Sequence, residues 1–286
     1  MRSLFRTKSA ILGMAILAVL VSIAILAPVI APYDPDQVLI GKEKIKMRSG
    51  PCIHLLGCPA DKPQHILGVD GNVRDFFSRL VYGSRVSLLI GFTTVGFAII
   101  IGSLIGAVAG YLGKGSDLWM MRAMDVLLAF PALLLAIAIV TVLGAGLSNA
   151  LLAIGIVSIP IYARVSRASV LAVKEQDFVM ADRAIGVPSS RILFRSILPH
   201  TLTPLIVAGT LGIATAILDA AALSFLGLGA QPPMAEWGSM LGAERNQVFT
   251  SPHLVFFPGL MIMVTVLAFN LLGDGLRDAL DPRLRR

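Results

Sequence analysis

Long apolar runs dominate this sequence, beginning with a charge-free stretch from Ser9 to Tyr33. A run of about 20 apolar residues is long enough to cross the hydrocarbon core of a bilayer as a helix, and no single globular core requires several of them. Only 14% of the 286 residues are charged, where a soluble domain carries roughly a quarter. Mean hydropathy is +0.83. These features define a multi-span membrane protein. The net charge of +7 does not indicate nucleic acid, because Lys and Arg are spread over the loops between apolar runs. The bias that orients membrane helices accounts for them there. The chain has no low-complexity tract or solenoid period, and its two halves are too unlike to claim an inverted repeat.

The first span is expected at Ala10–Ala31, preceded by Arg2, Arg6 and Lys8. A cleaved signal peptide is the rival, with Ala27 and Ala31 near a cut, but the apolar run exceeds a normal signal core. Further spans are expected at Val86–Leu112, Leu118–Leu143, Leu147–Val165, Pro204–Leu228 and Leu254–Leu276. Six spans from a basic, cytoplasmic start return the C-terminus to the cytoplasm. Lys114, Arg122, Arg164, Arg167, Lys174, Arg183, Arg191, Arg195, Arg277, Arg283, Arg285 and Arg286 then all face inward, as the positive-inside rule asks. The outside loop from Gly229 to His253 holds only Arg245 among basic residues, whereas the first outside loop, Asp34 to Ser84, is rich in both signs.

That first loop contains both cysteines, Cys52 and Cys58. On an oxidising face a short disulfide is one reading, a tether worth roughly 2 kcal/mol on the chain-entropy model. A Cys/His metal site with His54 and His65 is another, although Cys-x-His-x3-Cys matches no structural zinc pattern. From Asp75 to Ser84, apolar Phe76, Phe77, Leu80 and Val81 oppose Asp75, Ser78 and Arg79, which suggests a helix anchored along the membrane surface.

Polar residues within spans are costly and therefore informative. Arg122 and Asp125 share a helix face and are expected to pair, and Asn270 to hydrogen-bond a neighbouring helix. Asp219 lies mid-span with no cation within a turn, leaving two readings: a packing role, or a place along a translocation path where it could meet a substrate amine. Between the fourth and fifth spans, Gln176–Ile185 reads as a helix broken by Gly186 and Pro188. Ser189 or Ser190 would cap a second helix through Arg191–Leu198, ended by Pro199. Two short helices with apolar stripes make a knob suited to engaging another protein. The chain has no G-x4-GK[ST] phosphate loop and no charged relay across its spans, so energy must come from elsewhere.

The knob resembles the coupling segment of ABC importer permeases, E-A-A, three residues, Gly, then I-x-LP. Met180, Ala181, Asp182, Gly186 and Ile197-Leu198-Pro199 stand at these positions, with the glutamate and second alanine replaced. His65–Leu88, Met121–Pro131, Leu223–Leu241 and Phe269–Leu284 resemble signatures of the dipeptide/oligopeptide/nickel permeases, C-type subunit, with Val69 and Val73 where Thr and Gly are usual. The resemblance implies an all-α, six-helix type I importer permease. Its parts would be the N-terminus and first span (1–32), an outside loop with its surface helix (33–85), and a five-span core (86–286) containing a coupling loop (169–203). It also implies a non-enzymatic subunit in a bacterial or archaeal cytoplasmic membrane, paired with a second homologous permease. Two ATPase subunits would bind ATP and Mg, and a solute-binding protein would deliver cargo. Phe178, Val179, Met180, Ala181, Asp182, Arg183, Ala184, Ile185 and Gly186 would couple to the ATPase. Val179, Ala181, Ile185 and Gly186 form the buried part of that contact, with Arg183 and Arg191 nearer its rim. Short peptides lead as substrate, followed by nickel or metal chelates and oligosaccharides. An ion-coupled secondary transporter is the rival from another class.

Overall fold

The computed structural model describes residues 7–280, and the regular elements among them are all helices. Arg2, Arg6, Arg283, Arg285 and Arg286 lie outside the described residues. Helix α1 (Lys8–Ile30) is followed by a long connection, then by α2 (Phe76–Leu112), α3 (Lys114–Leu128), α4 (Ala132–Leu143) and α5 (Leu147–Val173). Next come α6 (Asp177–Ala184), α7 (Ser189–Arg191), a π-helical turn (Ile192–Ile197) and α8 (Leu198–Phe225). The chain closes with α9 (Trp237–Glu244) and α10 (His253–Leu280).

Five helical stretches are long and apolar enough to cross a membrane: α1, α2, α5, the continuous run Ser189–Phe225, and α10. A sixth crossing exists if α3 and α4 count as one span, but they meet at a bend of 89°. Pro131 stands at the break as the N-cap of α4. Proline has no N–H for the preceding turn and disfavours helical geometry in the residue before it, which explains why one apolar run becomes two helices.

Helices α2 and α5 pack closely along Gly102, Gly106 and Gly110, where an added Cβ would collide with the α5 backbone from Ile159 to Arg167. Spacing of four residues keeps these glycines on one helix face, allowing the backbones to approach. Gly13 on α1 and Gly275 on α10 serve a second close contact, antiparallel between the chain's first and last helices. Ile90, Val95, Ile154, Tyr162, Ile213 and Ile217 fill the centre between α2, α5 and α8.

The surface helix expected at Asp75–Ser84 is instead the first part of α2. Asp75 caps that helix by accepting from the Ser78 N–H at 2.7 Å. Phe76 and Leu80 do not face lipid but are buried against Trp237, Met240 and Leu254. The reason is α9, a helix within the connection read from sequence as a plain loop. At ~1.5 Å per residue, the 37 residues of α2 extend ~55 Å, well beyond a ~30 Å hydrocarbon layer. Its start carries the connections 31–75 and 226–252, and its end meets the segment after α5, where Lys174 Nζ donates to the Gly110 carbonyl at 3.1 Å.

Candidate functional site

The knob is a short helix held from behind. In α6 a helical projection puts Val179 and Asp182 on one side and Met180, Ala181, Ala184 and Ile185 on the other. Val179 is 0% exposed, packed with Val170, Val173, Ile192, Leu193 and Ile197. Asp182 accepts from the Ser196 hydroxyl at 2.6 Å, and the Phe178 ring lies 5.1 Å from that of His200. Ile185 is 77% exposed and Met180 50%; Ala181, Arg183 and Ala184 are also exposed. The expected placement of Val179 in an outward contact is therefore corrected: its side chain anchors the knob to its own core.

Gly186 ends α6 at φ 78°, with its N–H donating to Arg183 O and the Val187 N–H to Asp182 O. This pairing closes the helix with a left-handed residue, and glycine takes that conformation without a Cβ penalty. No atom outside its chain neighbours lies near a Cβ built there. Its local role is to turn the chain.

The second helix also differs from expectation. Neither Ser189 nor Ser190 caps it, because Pro188 occupies the N-cap, and it does not end at Pro199 but runs into α8. The π turn explains this continuity. Leu198 donates to Leu193 O, five residues back, and the widened turn accommodates a proline that cannot donate its own bond. Beside the knob, Asp117 pairs with Arg167. Asp125 pairs with Arg164 of α5 at 2.7 Å rather than with Arg122 on its own helix.

Asp219 is half-buried on α8. Its carboxylate has no hydrogen bond or ion pair among the described residues, unlike Asp117 and Asp125. Thr215, Leu218 and Ala222 share its open side, while Ala216 and Leu223 behind it are buried. Asn270 is exposed and, contrary to expectation, bonds no neighbouring helix among the described residues.

At the other end of α2, Cys52 and Cys58 form a disulfide with Cα atoms 5.4 Å apart. Cys52 and His65 exchange backbone hydrogen bonds of 2.8 and 3.0 Å. The His65 ring lies between two carboxylates, with Nδ1 2.7 Å from Asp75 and Nε2 3.0 Å from Glu43, and stacks on Tyr33. Both ring nitrogens are thus placed to donate to a carboxylate, an arrangement that favours the imidazolium form. Burial pushes the His65 pKa down, but the bonds to Asp75 and Glu43 outweigh it and raise the pKa above its usual value. His54 lies apart, with Nε2 2.8 Å from Lys62 O. No cluster of three or more potential metal ligands occurs among the described residues. Arg48 and the Gly71 N–H both bind Glu244 at 2.8 Å. Arg79 reaches Pro35 O and Pro233 O, and Trp237 Nε1 donates to Leu80 O at 3.0 Å. These bonds join the two connections into one cap.

The described residues thus form a bundle of long apolar helices with a pinned, outward-facing apolar knob at one end. The chain belongs to the family described as "Binding-protein-dependent transport system inner membrane component", which matches residues 102–286. Residues 1–48 match the "N-terminal TM domain of oligopeptide transport permease C". The chain is 46% identical to the dipeptide transport system permease protein DppC of Alkalihalophilus pseudofirmus, over 99% of this chain and 89% of that protein. It is 42% identical to the glutathione transport system permease protein GsiD of Pectobacterium atrosepticum, over 99% and 90%. Its fold is that of a type I ABC importer permease. An inward-facing structure of the MetNI methionine ABC transporter aligns with a TM-score of 0.57 at 19% identity, covering 72% of this chain and 98% of that one.

Proposed function

We propose that this permease works in an ATP-driven importer of short peptides, alongside a second homologous permease, two ATPase subunits that bind ATP and Mg, and a solute-binding protein. Relatives named for dipeptide, di/tripeptide and glutathione transport support the peptide class. The cap (31–75 with 226–252) faces outside, and the knob and both termini face the cytoplasm. The disulfide supports that orientation, since such bonds persist on the oxidising side of a membrane.

The observation carrying the mechanism is that Met180, Ala181, Ala184 and Ile185 face outward from a helix fixed behind by Val179 and Asp182. Those four residues with Phe178 meet the ATPase, Arg183 lies at the rim, and Gly186 shapes the end of the contact. A short anchored helix transmits the closing motion of the ATPases to the bundle, and rocking about the central path alternates access. Asp219 lines that path, where a carboxylate unpaired among the described residues can receive a peptide ammonium group.

Reconstitution of the purified assembly in proteoliposomes tests the proposal. Uptake of labelled dipeptides should require internal ATP and the binding protein, and should proceed without an ion gradient. Gradient-driven uptake without ATPase subunits, or uptake restricted to metal chelates or oligosaccharides, would overturn the corresponding part. Asp219→Asn should slow peptide uptake, and unchanged transport of every substrate would remove Asp219 from the path.

A further inference from the structure

The cap contains a feature that the coupling mechanism does not use. Residues 49–101 fall between the two family matches, and within them the disulfide closes a loop whose tip exposes Leu55 (96%) and Leu56 (81%). Beside it opens a cleft of about 470 Å³, lined by Lys44, Lys46, Lys62, Pro51 and both half-cystines, with no acidic residue in its wall. None of the three lysines forms an ion pair among the described residues, and all are exposed. Glu43, which by sequence could neutralise its neighbours, is turned away and held by His65.

The wall is also fixed before any partner arrives. The disulfide closes one side, the Cys52–His65 backbone pair holds its base, and the His65–Asp75 bond ties that base to the start of α2. Unpaired cations on a rigid concave surface beside exposed leucines suit a protruding acidic partner, since complementary charge steers encounter and apolar contact holds it. A bilayer surface fits less well, because flat headgroups cannot enter a cleft.

We infer that the Lys44–Lys46–Lys62 cleft and the Leu55–Leu56 tip form a docking surface for an acidic, protruding segment of the solute-binding protein. The inference rests on the proposed importer function and names one contact within it.

The test uses the complete transporter in lipid nanodiscs, titrated with its solute-binding protein while stimulated ATP hydrolysis is followed. Lys44→Glu/Lys46→Glu/Lys62→Glu should raise the half-stimulating concentration about tenfold or more at low salt. The gap from the unsubstituted complex should narrow as added salt screens the charges. Leu55→Ser/Leu56→Ser, which leaves every charge in place, should weaken stimulation with little salt dependence. Thermal unfolding of both variants should match that of the unsubstituted complex, because the altered side chains are exposed and unpaired. An unsubstituted complex that responds while both variants respond equally well would overturn the docking surface alone. A complex that does not respond to any binding protein would overturn the importer reading and this inference together. A defect present only in anionic-lipid discs and absent from zwitterionic ones would assign the surface to lipid and overturn the inference.

Discussion

At the start of α2 the connecting segments satisfy one another, whereas beyond its end α6 leaves Met180 and Ile185 uncovered. The cap pairs His65 with two carboxylates, Arg48 with Glu244, and Trp237 with Leu80 O, and closes a disulfide. The knob has one side-chain bond, Asp182 to Ser196, and one buried anchor, Val179, within α6. Both regions are connections between membrane helices, yet they differ in how they are held: the cap by polar bonds and a disulfide across two segments, the knob by one buried side chain and one bond behind an exposed apolar side. The knob keeps Met180 and Ile185 outward and supports them from behind.

Trp237→Ala should most severely disrupt the cap, by about 3–5 kcal/mol, since it removes a fully buried indole together with its bond to Leu80 O. Thermal unfolding in detergent checks this, and a loss below about 1 kcal/mol would show that the cap is not a packed unit. Replacing Cys52 and Cys58 together by Ser should cost about 2 kcal/mol, read by the same assay with and without reductant. On the knob, Gly186→Ala should cost about 1 kcal/mol through left-handed strain alone, as no neighbour obstructs a Cβ. A much larger loss would mean that the knob is as interlocked as the cap.

The smallest effect is pH-dependent. His65 has a raised pKa in the fold, so its contribution is complete below about 6.5, the value of a free imidazole, and is lost as pH rises through the raised value. Unfolding temperature should therefore fall on the alkaline side in the parent protein. His65→Gln should flatten that dependence, and an unchanged profile would remove the imidazolium from the cap.

Apolar run length made the crossings legible, and Gly186 marked the end of the knob helix correctly. Run length alone makes α3–α4 look like one straight span, and Pro131 is the visible sign of its bend. The Gly102-Gly106-Gly110 spacing is a readable sign of close helix packing. Tertiary choices were less accessible. Nothing local to Asp125 says that Arg164, on another helix, outcompetes Arg122. Phe76 and Leu80 have the pattern of a membrane-surface helix, and only the position of Trp237 reveals that they are covered by protein. Val179 and Ile185 are both apolar residues of the knob. Their opposite orientations depend on the core beneath α6, which combines α5 with the π turn.

The central claim is that the outward side of α6 grips an ATPase while Val179 only holds the helix in place. Ile185→Asp tests it most directly, because Ile185 is 77% exposed and absent from the chain's own core clusters. The variant should insert in the membrane and unfold at the parent temperature. It should nevertheless fail to retain the ATPase subunits on purification and lose ATP-dependent peptide uptake. Full retention of the ATPases with normal uptake would contradict the account.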